Sequence, residues 1–179
     1  MQEASSEGLA LSKAKQITSA LRNNQYITFV GAPANTAGPL DFLKRMAQRR
    51  GKKVIELDIG PDGLQTTEEA FSLIANGLKE LSIEFSRTTG SLALIDLSRN
   101  LNRLKDSDYL FVLNNIHNLM TNPAVGENIL LYIRSLYHER ATGKFKNIQF
   151  ALVGEKHPTD IKPENSRLTE FNIGVRFDF

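Results

Sequence analysis

The segment Tyr26-Ile27-Thr28-Phe29-Val30-Gly31-Ala32-Pro33-Ala34-Asn35-Thr36-Ala37-Gly38-Pro39 decides the fold. Its first five residues are β-branched or aromatic, the composition of a strand, and Gly31 ends the run. Residues 31–38 read as a turn-rich loop, and Pro39 suits the first position of a helix, where a missing N–H costs nothing. That helix carries Leu40, Leu43, Met46 and Ala47 on one face and closes at Gly51. Strand, glycine-containing loop and helix make a βα unit, and in such units the loop is where phosphate is held.

The alternation continues to both ends. Upstream, Leu11, Ala14, Ile17 and Leu21 recur at helical spacing over residues 9–23, a face for packing on the sheet edge or on a partner. Downstream, residues 54–58 read as a second strand. Thr66-Thr67-Glu68-Glu69 reads as a capping box opening a helix through about Phe85, with another helix over 91–105. Tyr109–Leu113 is a near-continuous apolar run, the mark of a strand covered on both faces. Asn122-Pro123 breaks the chain before helical spacing over 126–141, and strands follow at 148–153 and 175–179. This order predicts an α/β three-layer sandwich with a mostly parallel sheet.

Composition narrows the class. The 179 residues fit one domain, and 41% hydrophobic with 23% charged residues excludes disorder and fibrous repeats. Residues 1–8 are polar and are assigned to a disordered tail, leaving 9–179 as a single domain. The chain ends inside a strand-like segment, as a domain excised from a longer multidomain protein would. No cysteine is present, which removes disulfides, thiolate metal sites and thiol nucleophiles. A net charge of +2, no membrane-length apolar run and no signal-peptide layout point to a cytoplasmic protein.

A working phosphate loop needs G-x-x-x-x-G-K-[S/T], so that backbone N–H groups curl round the phosphates, Lys reaches them and the hydroxyl binds magnesium. Laid from Gly31, the template meets Thr36, Ala37 and Gly38 where it asks for Gly, Lys and Ser/Thr. β-Branched Thr36 resists a left-handed backbone and Pro33 stiffens the loop, so the loop is expected to collapse and leave no triphosphate-sized cavity. The second element, a strand ending in an acidic pair for magnesium and water, is Tyr109–Leu113 followed by Asn114-Asn115, which carry no charge and no base. Loss at both places together fits a domain no longer selected for hydrolysis.

Taken together, the chain over residues 10–179 resembles the AAA-like ATPase domain of the bacterial STAND family, signal-transduction ATPases with numerous domains. The carriers are residues 26–33, the strand Val54-Ile-Glu-Leu-Asp58 and the run Leu110-Phe-Val-Leu-Asn-Asn-Ile-His-Asn-Leu119. To these add the helix over 129–140 and the ending Phe150-Ala-Leu-Val-Gly154 with Arg167-Leu-Thr-Glu-Phe-Asn-Ile-Gly174. The resemblance implies a P-loop NTPase-like fold without the C-terminal lid, in proteins that couple nucleotide state to oligomerisation. Only Gly31 carries over from the phosphate loop. Ala37 stands where the family has Lys, Gly38 where it has Ser/Thr, and Asn114-Asn115 where it has acids.

Other candidates were weighed. Lys44, Arg45, Arg49, Arg50, Lys52 and Lys53 place six cations in ten residues without an acid, either a nucleic-acid contact or a solvated helix face. His117, His138 and His157 are scattered without metal-ligand spacing, and no nucleophile elbow supports a set of Ser135, His117 and Asp108. Arg134, Arg140, Arg167 and Arg176 lie where active relatives sense phosphate. The expectation is a pseudo-ATPase without catalytic residues, metal or cofactor, acting as a protein-interaction or oligomerisation module. The alternatives are a divergent ATP–magnesium switch using Lys52 or Arg167, and a nucleic-acid module acting through residues 44–53.

Overall fold

The computed structural model describes residues 2–79, 81, 83, 93–168 and 173–179, with side chains from residue 10 onward. Strands β1 (Ile27–Val30), β2 (Lys53–Asp58), β3 (Tyr109–Asn114), β4 (Ile148–Gly154) and β5 (Val175–Asp178) form one sheet. Their order is β2-β3-β4-β1-β5, and every neighbouring pair is parallel. Helices cover both faces, so β4 is buried along its whole length and β3 up to its last residue.

Alternation of side chains divides the core. Tyr109, Phe111, Leu113, Phe150 and Leu152 point to the face packed by α3 (Thr67–Lys79), α4 (Ala93–Leu101) and α5 (Pro123–Glu139). Leu110, Val112, Ala151 and Val153 point the other way, against α1 (Gln2–Arg22) and α2 (Pro33–Arg49). Phe111 stacks on Phe150 with centroids 5.3 Å apart, and Tyr26 meets Phe150 edge-on at 5.3 Å. These rings fix the middle of the sheet.

Several boundaries differ from the sequence reading. Helix α1 begins at Gln2, not Leu9, so residues 2–8, assigned to a tail, continue its backbone. Gln2, Glu3 and Ala4 are compatible with this, because none breaks a helix and an acid suits its N-terminus. Helix α2 begins at Pro33, not Pro39, and absorbs most of the expected loop. Pro33 has the fixed φ that a first helical position uses, and Ala34 and Ala37 favour helix. Pro39 lies inside and cannot donate to the Asn35 carbonyl.

At Thr66 the capping hydroxyl does accept from the Glu69 N–H at 3.2 Å, and the Glu69 carboxylate accepts from the Gln65 N–H at 2.7 Å. The described helix then ends at Lys79, and the rest of the expected span to Phe85 falls largely on residues outside those described. Helix α4 stops at Leu101, short of Lys105, and α5 starts at Pro123, three residues early, because proline again serves as first helical residue. A 3-10 turn over Ile116–Thr121, absent from the sequence reading, precedes it. Residues 169–172, in the ending used for the resemblance, lie outside the described residues. Among the described helices, none is long and apolar enough to cross a membrane.

Candidate functional site

In open parallel sheets, ligands sit beyond the carboxyl ends of the strands, where the chain leaves for opposite faces. Here α2 leaves β1 for one face and α5 covers the other, and a cleft of about 320 Å³ opens there. Register sets its walls. The Gly31 N–H donates to the Gly154 carbonyl at 3.0 Å, joining the ends of β1 and β4, and Asp58 lies opposite Asn114 across β2 and β3. Gly31, Pro33, Thr36, Ala37, Asn114 and Asn115, all named from the sequence, line this one cleft. Gly38 does not. It faces a groove toward α1.

The phosphate loop itself is gone. What remains between β1 and α2 is Gly31-Ala32. Pro33 has no N–H, and the Asn35 and Thr36 N–H groups donate to the Ala32 carbonyl at 2.9 and 3.1 Å. Thr36 is buried, and its hydroxyl lies 3.3 Å from the same carbonyl. Donors that would curl round phosphate are therefore consumed within the first helical turn. The expectation that no triphosphate-sized cavity remains is corrected: the loop has become helix, yet small residues at 31, 37 and 154 leave the space beneath it open.

Asn115, in the second acidic position, is held in a left-handed conformation (φ 57°). Its amide donates to the Asp58 carboxylate at 2.7 Å. The 3-10 turn that follows adds bonds from Asn118 Nδ2 to the Ile59 carbonyl at 3.0 Å and from the Thr121 hydroxyl to the Asp62 carbonyl at 3.1 Å. Asn115 thus belongs to a row of side chains that staples the end of β3 to the loop after β2. Asp58, Glu155, Leu40, Val153 and Gly154 complete the cleft and were not singled out from the sequence. The available signal was position alone: Asp58 ends an apolar strand, and Glu155 follows one.

The cleft's electrostatics follow from this list. Among the described residues it holds two carboxylates, Asp58 and Glu155, and is lined by no lysine or arginine. At an effective dielectric of about 20, like charges about 6 Å apart repel by roughly 3 kcal/mol. A polyphosphate entering without a cation meets that repulsion from both acids.

The cations named from the sequence are engaged elsewhere. Lys52 is buried at the amino edge of the sheet, where its ammonium donates to Asn24 Oδ1 at 2.9 Å and burial lowers its pKa. Arg140 lies over the rings of Tyr26 and Tyr137 at that same edge. Arg167 donates to Asn128 Oδ1 at 2.7 Å and faces Glu127 at 3.7 Å, and Arg176 bridges Asp160 and Asp178. Arg134 lies 3.4 Å from the His138 ring. Of the basic stretch, Lys44 pairs with Glu56 and Arg45 with Asp41, both at 2.9 Å, and Lys53 lies over the Tyr109 ring. Arg49, Arg50 and Lys53 are exposed. His117 accepts from the Glu155 N–H at 3.3 Å, and among the described residues no three His, Cys, Asp or Glu side chains converge as a metal site would require.

In fold, an all-parallel five-stranded sheet between layers of helices, the chain is similar to solved AAA+ P-loop ATPase domains. Solved structures of this kind include the ORC2 protein of Aeropyrum pernix in ADPNP–ADP complexes (TM-score 0.64, 16% identity, 96% of this chain and 47% of that one). Cdc6p of Pyrobaculum aerophilum matches at TM-score 0.59 and 18% identity over 96% of this chain and 44% of that one. The Aeropyrum pernix ORC1 protein in complex with DNA matches at 0.58 and 18%, over 93% and 42%. This chain therefore spans a little under half the length of each. No family model matches the sequence, and no curated protein matches it either.

Proposed function

We propose that this chain is an AAA+-like domain without nucleotide turnover, serving as a protein-interaction or oligomerisation module, of the kind found in bacterial STAND signalling or defence proteins. One observation carries the reading. Among the described residues the cleft that would receive a polyphosphate has two carboxylates, two amides and no cation, and the segment expected as its phosphate loop is helix from Pro33. Hydrolysis needs a cation on the phosphates and a carboxylate-held magnesium, and electrostatic stabilisation of this kind is the main source of rate in phosphoryl transfer. The neighbours named in complex with DNA make nucleic acid the second reading, but of the six cations in residues 44–53 Lys44 and Arg45 are paired with acids and Lys52 is buried, which leaves Arg49, Arg50 and Lys53.

The test is steady-state phosphate release with ATP–magnesium, together with sedimentation velocity with and without nucleotide. The expected result is no turnover above buffer and an assembly state indifferent to ATP. Multiple turnovers lost on changing Lys52 or Arg167 would instead establish a divergent switch.

A further inference from the structure

The outer surface between α1 and α2 carries two adjoining hollows, of about 390 and 440 Å³, that share Ala14 and Phe42 and so form one groove. Its floor is apolar. Ile17 and Phe42 line it, Phe179 closes one end, and Leu11 on the rim is 59% exposed. Small residues at Ala10, Ala14 and Gly38 keep the floor low enough for a backbone to approach. From Leu11 to Arg22 the groove follows eleven residue steps of α1, about 16 Å, the length of three turns of a second helix.

Among the described residues lining the groove, the exposed charge is of one sign. Lys15 and Arg22 lie seven residues apart on the stripe that begins at Leu11, and both are exposed. Lys13 is engaged, donating to the Asp178 carbonyl at 2.7 Å and lying over the Phe179 ring. The acid beside Phe42, Asp41, is neutralised by Arg45. An apolar floor between unneutralised cations complements an apolar stripe between acids. A phosphate backbone would use the cations but leave the floor wet.

We infer that this groove docks one amphipathic helix of a partner protein, apolar along one stripe and acidic on its flanks. The inference rests on the interaction-module reading and supplies that reading with its surface and its partner's chemistry. Charge sets orientation and selectivity, while the burial of Leu11 and Phe42 holds the complex.

The test is fluorescence anisotropy of the 179-residue chain with a labelled synthetic helical peptide of about 18 residues, leucine-striped and glutamate-flanked, against a lysine-flanked control. The glutamate peptide is expected to saturate below about 100 μM and to bind at least about tenfold more tightly than the control. Leu11→Asp should weaken binding about tenfold. The pair Lys15→Glu with Arg22→Glu should reverse the preference, so that the lysine-flanked peptide binds better. Circular dichroism melts report folding, and the charge reversal alone decides the matter if Leu11→Asp melts early.

Absence of binding, equal binding of both peptides, or an unchanged preference in the reversed variant overturns the proposal. A labelled DNA duplex that competes for the groove and is lost in the reversed variant would assign it to nucleic acid. A dimer that Leu11→Asp converts to monomer would assign it to a second copy of this chain. ATP binding measured separately would remove the pseudo-ATPase reading and leave the peptide result standing.

Discussion

Two helical glycines have opposite reasons to be there. A Cβ on Gly126, in α5, would run into the carbonyl oxygen of Leu119 in the 3-10 turn, a backbone atom that cannot step aside. A Cβ on Gly38, in α2, would meet nothing within 4 Å. Gly126→Ala should therefore destabilise by roughly 1–3 kcal/mol despite alanine's better helix propensity, because overpacking against backbone outweighs it. Gly38→Ala should stabilise, but by less than the roughly 0.5–1 kcal/mol of an ordinary helix interior, because the Pro39 ring disfavours helical backbone for a preceding residue with a Cβ. Urea unfolding midpoints of the two variants, moving in opposite directions, check both. His157 provides a pH-dependent counterpart. It is 5% exposed, and its Nδ1 accepts from the Thr159 N–H. Burial first, then the Arg176 guanidinium, hold its pKa below the ordinary imidazole value, against the opposing pull of Asp160 and Asp178. The folded state thus favours neutral imidazole. Its contribution is complete above about pH 6.5 and is lost as pH falls through that value toward the lower folded one. His157→Gln should flatten the loss of stability between about pH 7.5 and 5.5, read from urea midpoints at the two pH values.

At the scale of elements, the start of α2 separates what the sequence disclosed from what it concealed. The strand at Tyr26–Val30 and the helix face of Leu40, Leu43 and Ala47 were legible, because β-branched runs and helical spacing report directly on burial. The loop was misplaced because two prolines each suit a first helical position, and spacing alone favoured the later one. Asn114 and Asn115, singled out at the end of β3, line the cleft. Asn115's bond to Asp58 was hidden, since it joins residues 57 positions apart. The expectation that a triphosphate cavity would be absent failed for a related reason: collapse of a loop does not fill space walled by glycine and alanine. These facts set the outcome of rebuilding the loop. Thr36→Gly, Ala37→Lys and Gly38→Thr together exchange the places of one threonine and one glycine in α2, which empties the buried Thr36 site and sets a β-branched residue before Pro39, and should cost roughly 1 kcal/mol or more. They should not by themselves create tight ATP binding, because the first-turn N–H groups stay bonded to Ala32. Asn114→Asp with Asn115→Glu adds the missing acids but sets a carboxylate against Asp58 in place of the amide that bonds it. Calorimetry of the triple variant with ATP–magnesium checks this, and micromolar binding by the triple variant alone would mean the loop can re-form.

Over the whole molecule, the mostly parallel sheet and the two-faced core were foreshadowed by alternation of pattern along the chain. The strand order was not, because parallel pairing between residues 39 to 148 positions apart leaves no local trace. The register brings Gly31, Asn114 and Gly154 to one edge, and among the described residues the cleft there is lined by two carboxylates and no cation. Titration calorimetry of the unaltered chain with ATP–magnesium, ADP and GTP tests the proposed absence of a nucleotide site most directly. A cleft of that lining should give no heat of binding for any of the three up to about 1 mM. Micromolar affinity for any one of them would contradict it and make the cleft a working nucleotide site.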